Sequence, residues 1–240
     1  MDVSVAGWVV VALTVLVGAT IQGGIGFGMN VVSVPVIALI APEVLPVAAI
    51  IFGIPISIVM VRHERASVDA AGMAWVVGGR IPGSALGAWV VTVVSTTGLQ
   101  LVIGGLVLAF VVLSTAAPPI PLRRSTQVAA GVVSGVTGTS AGIGGPPVAL
   151  LYQRQSGPVV RSTLASTFLV GTFLSLGALL VSGSIGRDGV VVGVACAPLV
   201  LAGTRLGRRM HDLLDQGWLR PAVLVFSAVS ALLVLADAAL

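Results

Sequence analysis

Lysine is absent from this chain, cysteine and tyrosine occur once each, and there are only two histidines and eight acidic residues. The single cysteine, Cys196, excludes an internal disulfide. No Cys/His/Asp group has metal-ligand spacing, so neither a metal nor another cofactor is expected. Charged residues make up 8% of the chain against 57% hydrophobic, and mean hydropathy is +1.13. Such a chain of 240 residues excludes a soluble domain and reads as an integral membrane protein. Its apolar runs are continuous rather than alternating, which excludes a transmembrane barrel and leaves helices. The net charge of +4 comes from arginines in short polar breaks. That pattern is a topology signal rather than a nucleic-acid patch, so nucleic acid is not an expected partner. The first apolar run, Val3 to Ala19, has no basic residue before it, so it reads as a retained segment rather than a cleaved leader.

What the chain has in quantity is glycine, 31 residues, and proline, 13. Several of these recur at a constant offset of 116 positions: Gly26 with Gly142, Gly28 with Gly144, Pro42 with Pro158, Pro82 with Pro198 and Gly87 with Gly203. The repeat divides the chain into a first transmembrane copy, 1–117, a cytoplasmic linker, 118–125, and a second copy, 126–240. Pro118, Pro119 and Pro121 punctuate the linker.

Each copy reads as a Gly-interrupted stretch followed by three long helices. In the first copy these run Ser4 to Ile40, Val44 to Val61, Ala70 to Val93 and Leu99 to Thr115. In the second they run Thr126 to Tyr152, Thr163 to Val181, Val190 to Thr204 and Leu219 to Ala236. The 27 residues from Thr126 to Tyr152 are too few for two crossings at about 20 each, and too broken for one straight helix. A re-entrant hairpin, going half-way in and returning, fits both constraints; a pair of short tilted helices gives the same sidedness. With Arg62 and Arg65 in the cytoplasm, Arg123, Arg124, Arg154, Arg161, Arg205, Arg208 and Arg209 fall on that side too, and only Arg187, beside Asp188, does not. The expected fold is therefore all-α, with two inverted-topology repeats, each a Gly-rich broken hairpin plus three transmembrane helices, and both termini outside.

Broken segments in matching positions point to a substrate site. In both copies glycines precede a short apolar helix, starting near Gly28 and near Pro146. Peptide N–H groups left over at such starts carry partial positive charge and bind anions. The candidate substrate-binding residues are Gln22, Gly24, Gly26, Gly28 and Asn30 in the first copy, Thr139, Ser140, Gly142, Gly144 and Gly145 in the second, and Arg80. Ser134 and Thr137 are further neutral donors. The competing reading is that the glycines only allow close helix packing. Arg80 lies ten residues into its helix, roughly 15 Å at 1.5 Å per residue and so near mid-membrane. An arginine there costs about 2.5–3.5 kcal/mol to insert, and no acid on its helix offsets this. Its guanidinium suits an oxyanion, and Cys196 stands at the matching position of the second copy, so the site is expected to be asymmetric. Glu43 is the one acid beside a helix mouth, a candidate for proton coupling, while His63 and His211 read as surface.

Gly138-Thr139-Ser140-Ala141-Gly142 also spells the G-x-S-x-G of serine hydrolases. No strand precedes it, no histidine falls within the membrane, and its first-copy counterpart is Gln22 to Gly26 with Gly24 at the serine position. An intramembrane serine hydrolase is thus the weaker reading, an anion channel a second alternative, and no catalytic residue is assigned.

The paired segments "GGIGFGMNVVSVPVIALI" with "HERASVD", and "SGVTGTSAGIGGPPVALLYQRQ" with "RSTLASTF", resemble the sulfite exporter TauE/SafE family of bacterial membrane permeases. The resemblance covers nearly the whole chain, with Phe27 where the family commonly has glycine. It implies a multi-pass protein of the bacterial inner membrane, not an enzyme, that exports a small sulfur-containing oxyanion such as sulfite or an organosulfonate by alternating access. The expected partners are that anion, the lipid bilayer and, as an open possibility, further copies of the chain.

Overall fold

The structure is a computed structural model that describes residues 3–63, 67–116, 120–210 and 219–239. Glu64, Arg65, Pro118, Pro119 and His211, all used in the sequence reading, lie outside the described residues. Those described are helical throughout, without a strand. The order is α1 (Val5–Ile25), α2 (Met29–Ile40), a 3-10 turn (Pro42–Val44), α3 (Val47–His63), α4 (Ala70–Val93) and α5 (Thr96–Ala116). Then follow α6 (Arg124–Ser140), α7 (Gly145–Tyr152), α8 (Gly157–Val181), α9 (Arg187–Ala195), α10 (Ala197–Arg209) and α11 (Leu219–Ala239).

Local chemistry sets several of these starts. Ser4 Oγ accepts from the Gly7 N–H at 3.1 Å and Asp69 Oδ1 from the Gly72 N–H at 2.9 Å, each satisfying one of the donors that a first turn leaves over. Ser95 does the same for Gly98 and so starts α5 earlier than the expected Leu99. Proline in the first turn of α8 likewise moves its start from the expected Thr163 back to Gly157. Among the described residues five helices are long and apolar enough to cross a membrane: α1, α4, α5, α8 and the stretch from Pro221 in α11. The α9–α10 pair makes a sixth span if taken together, and the protein is a multi-pass membrane protein.

Two expectations need correcting. The segment from Val190 to Thr204 is not one helix, because α9 and α10 meet at Cys196 with a bend of 42°. Pro198, in the first turn of α10, has no N–H to donate and crowds the preceding turn. The matching Pro82 sits inside an unbroken α4, which α6 supports along its length. Second, the leading arm of each broken segment is longer than a half-depth arm. α1 has 21 residues, about 31 Å, and α6 has 17, about 25 Å, whereas α2 and α7 have 12 and 8.

Helices at the 116-residue offset follow one another in the same order: α1 and α6, α2 and α7, α3 and α8, α4 and α9–α10, α5 and α11. Their packing crosses between the halves. α6 lies along α4, α1 along α10, and α3 against α8. Glycines decide these contacts. A Cβ on Gly79 would stand 2.2 Å from the Val128 carbonyl oxygen, on Gly83 2.3 Å from that of Val132, and on Gly87 2.6 Å from that of Val136. The partners rise with the chain, so α4 and α6 run parallel with their backbones in contact, as small residues four apart permit. Gly203 meets Leu16 and Gly207 meets Thr20 in the same manner, so α1 and α10 are also parallel. On the outer face of α4, Trp75 and Trp89 are exposed, and the Arg124 guanidinium lies 5.3 Å from the Trp75 ring centre, an arrangement suited to the membrane interfaces.

Candidate functional site

The two glycine corners turn the chain between α1 and α2 and between α6 and α7. Gly26 and its counterpart Gly142 both adopt positive φ, 95° and 74°, as does Gly28 at 113°, conformations that side chains with a Cβ rarely take. At the first corner the Gly26 N–H closes α1 on the Gln22 carbonyl at 2.8 Å. Gln22 Oε1 then accepts from the Met29 N–H at 3.1 Å and so caps the start of α2. The N–H groups of Asn30 and Val31, next along that first turn, have no carbonyl behind them in the helix. Across the corner Asn30 Nδ2 donates to the Ala49 carbonyl at 2.9 Å and to the Gly142 carbonyl at 2.7 Å, tying the two corners together.

The second corner is built differently. Positions two and three of α7 are Pro146 and Pro147, which carry no N–H, so of its first three residues only Gly145 has a donor. Of the two helix starts singled out from sequence, this one is therefore the poorer in peptide donors. What stands beside this poorer end is Arg80 of α4, 4% exposed. Its Nη1 donates to Ser134 Oγ at 3.0 Å, and the Ser134 hydroxyl donates in turn to the Gly144 carbonyl. Arg80 Nε is buried without a partner among the described residues. The guanidinium rests on glycine backbone: a Cβ on Gly171 would lie 2.2 Å from Arg80 Cζ, and one on Gly138 3.0 Å from Nη2.

A cavity of about 70 Å³ opens between the corners. Of the residues singled out from sequence, Gln22, Gly28, Asn30, Arg80, Gly142, Gly144 and Gly145 line it. Gly24, Gly26, Thr139 and Ser140 do not. Gly24 abuts α10, where a Cβ on Gly207 would come 3.0 Å from its nitrogen, and Gly26 faces the Arg161 stem. Thr139 Oγ1 donates to Ser175 Oγ at 2.8 Å, and the buried Ser140 hydroxyl bonds back to the Val136 carbonyl at 2.8 Å. Ser140 thus has its proton on its own helix, and the described histidine, His63, sits exposed at the end of α3, bonded to the Val59 carbonyl. Neither supplies the nucleophile and base of a hydrolase.

Glu43 is exposed in the 3-10 turn, outside the cavity wall. The glycines divide between the cavity wall and helix packing. Gly28, Gly142, Gly144 and Gly145 shape the cavity, while Gly23 meets the Thr204 carbonyl and packs α1 on α10.

Sequence reasoning missed the walls that α3 and α8 contribute. Gly53 and Ser57 on α3, and Phe168, Thr172 and Ser175 on α8, line the cavity. A signal was present, since 168, 172 and 175 are spaced i, i+4, i+7 and carry two hydroxyls on one face of an apolar helix. Gly171, which seats the guanidinium, left no such trace. Gly171→Ala is expected to push the flexible Arg80 head aside while α8 stays helical. Flux in reconstituted vesicles should drop roughly tenfold or more, the loss of one hydrogen bond to a charged group, with unchanged membrane yield. Wild-type flux would show that the seat is irrelevant.

The family model described as sulfite exporter TauE/SafE matches residues 10–234, nearly the whole chain. No curated protein and no solved structure matches it.

Proposed function

Because the chain belongs to the sulfite exporter TauE/SafE family, whose members are membrane transporters rather than enzymes, we propose that it exports a small sulfur-containing oxyanion across the bacterial inner membrane. The observation that carries this is Arg80: a buried guanidinium on the wall of a cavity, with an Nε that has no partner and no carboxylate in the lining among the described residues. A cation held in low dielectric without a counter-ion is costly, and an anionic substrate removes that cost while it is bound. The first turn of α2, whose Asn30 and Val31 also line the cavity, adds peptide donors. Sulfite or an organosulfonate headgroup matches both the charge and the scale of the cavity.

Two backbone-locked pairs, α4–α6 and α1–α10, each joining one helix from either half of the chain, are the rigid units in this reading of alternating access. Each pair moves as a unit, because its glycine contacts leave no room for sliding. In this proposal residues 1–117 and 126–240 are inverted repeats joined by 118–125, with broken hairpins meeting near mid-membrane.

The test is flux into liposomes containing the purified protein, with sulfite, sulfoacetate and thiosulfate as substrates. Saturable uptake of at least one of them, without unitary currents in planar bilayers, is the expected result. Discrete single-channel currents would assign a channel instead, and no flux of any of the three would remove the oxyanion reading.

A further inference from the structure

The same cavity holds a feature that simple attraction for an anion leaves unused. Both hydrogens of the Asn30 amide are committed, one to the Ala49 carbonyl and one to the Gly142 carbonyl. This fixes the amide orientation, because a flipped amide would set its oxygen against two carbonyl oxygens. Asn30 Oδ1 is therefore an acceptor, and it is buried with no donor among the described residues. Asn30 shares the cavity wall with Arg80, and the Gly142 and Gly144 corner lies between them. Ser57 Oγ, on the same wall, is also buried and unpaired among the described residues.

An anion with no hydrogen to donate is repelled by a buried carbonyl-type oxygen and leaves it unsatisfied. An anion that carries one hydrogen satisfies it. The charge count points the same way. Arg80 contributes one positive charge, and the lining includes no other charged or titratable side chain among the described residues. A singly charged anion leaves the cavity neutral, whereas a doubly charged one leaves a net negative charge in a confined space. With no carboxylate or imidazole on the wall, a proton that crosses with the substrate has to travel on the substrate itself.

Resting on the proposed oxyanion transport, we infer that the site selects the singly protonated form of its substrate: a monoanionic oxyanion that bears one donor hydrogen. Its negative oxygens face Arg80 and the α2 peptide groups, and its hydrogen is donated to Asn30 Oδ1. Asn30 is then a specificity-determining residue: of the anions proposed above it favours hydrogensulfite and disfavours both the sulfite dianion and an organosulfonate headgroup, which has no hydrogen to donate.

Two probes separate hydrogen from charge and shape. Methanesulfonate and the methylphosphonate monoanion are both tetrahedral, singly charged and of similar size, and they differ chiefly by one hydroxyl hydrogen. Each is tested as an inhibitor of sulfite flux through the full-length protein in liposomes at mildly acidic pH. Methylphosphonate is expected to inhibit about tenfold more strongly than methanesulfonate, the discrimination that one hydrogen bond to a buried acceptor supports. At alkaline pH, where methylphosphonate becomes a dianion without a donor and sulfite flux itself falls for the same reason, that advantage should vanish while the methanesulfonate inhibition constant stays unchanged, which controls for any change in the protein. Equal inhibition by the two at acidic pH would overturn the hydrogen inference and leave the anion site standing. Absence of sulfite flux altogether would overturn the transport reading beneath it.

Discussion

Replacing Arg80 with glutamine is expected to reduce oxyanion flux by about 100-fold or more while the protein still inserts and folds. Glutamine keeps a neutral amide on a shorter stem, two bonds short of Nη1, and removes the charge and the forked donor set. Hydrogen bonds to a charged group contribute roughly 1.5–3 kcal/mol each, so loss of one to two of them at the substrate spans this range. Folding should not suffer in proportion. The guanidinium's bond to Ser134 is lost, but the Ser134 hydroxyl keeps its own bond to the Gly144 carbonyl, and an arginine at this depth itself costs about 2.5–3.5 kcal/mol to insert. The measurement is flux per folded transporter, normalised by size-exclusion profile in detergent. An Arg80→Gln variant that transports at the wild-type rate would exclude Arg80 from the substrate path. One that is poorly folded would show that the guanidinium serves the helix contact instead.

The second large effect is structural and comes from a single methyl group. A Cβ on Gly131 would lie 2.1 Å from the Val76 carbonyl oxygen and 2.9 Å from its carbon, both backbone atoms of α4. Backbone inside two packed helices cannot step aside as a side-chain tip can, so Gly131→Ala has to push α6 away from α4. This loosens the run of contacts at Gly79, Gly83 and Gly87 and tilts Arg80 off its Ser134 partner. A cost of about 3 kcal/mol, the upper part of the range for overpacking, is expected. It should appear as a lower thermal unfolding midpoint in detergent and a poorer yield of monodisperse protein. Gly78→Ala is the control. It lies one position from Gly79 on the lipid-facing side, nothing stands within 4 Å of its Cβ, and alanine favours helix over glycine by about 1 kcal/mol. Equal behaviour of the two variants would refute close α4–α6 contact.

Membrane residence, helical class, the two corners and the burial of Arg80 were all legible in the chain, because each depends on a property carried by neighbouring residues. Hydropathy over about 20 positions decides insertion, and Gly or Pro decides locally where a helix can continue. Gly26 and Gly142 at their matching offset show this, since a positive φ is a demand on one residue alone. What the chain did not disclose is which of its many small residues face what. Gly23 and Gly28 read alike, yet one packs on Thr204 and the other turns the backbone at the cavity. Ser140 reads as a substrate donor, yet its hydroxyl is spent on Val136 four residues back. Gly171 reads as nothing, yet it seats the guanidinium of a residue 91 positions away (171 − 80). Even Pro82 and Pro198, matched by the repeat, differ, since α4 runs straight through one and the chain bends by 42° before the other.

Sequence alone thus determined that this is a helical membrane protein with paired breaks and a lone buried-depth cation. Only the tertiary structure decided which break offers peptide donors, which is stopped by Pro146 and Pro147, and that Asn30 is left presenting an oxygen. The physical reason is that backbone conformation and insertion are governed by short stretches of chain. The partner of a donor, and the room beside a glycine, are set by whichever distant helix packs there.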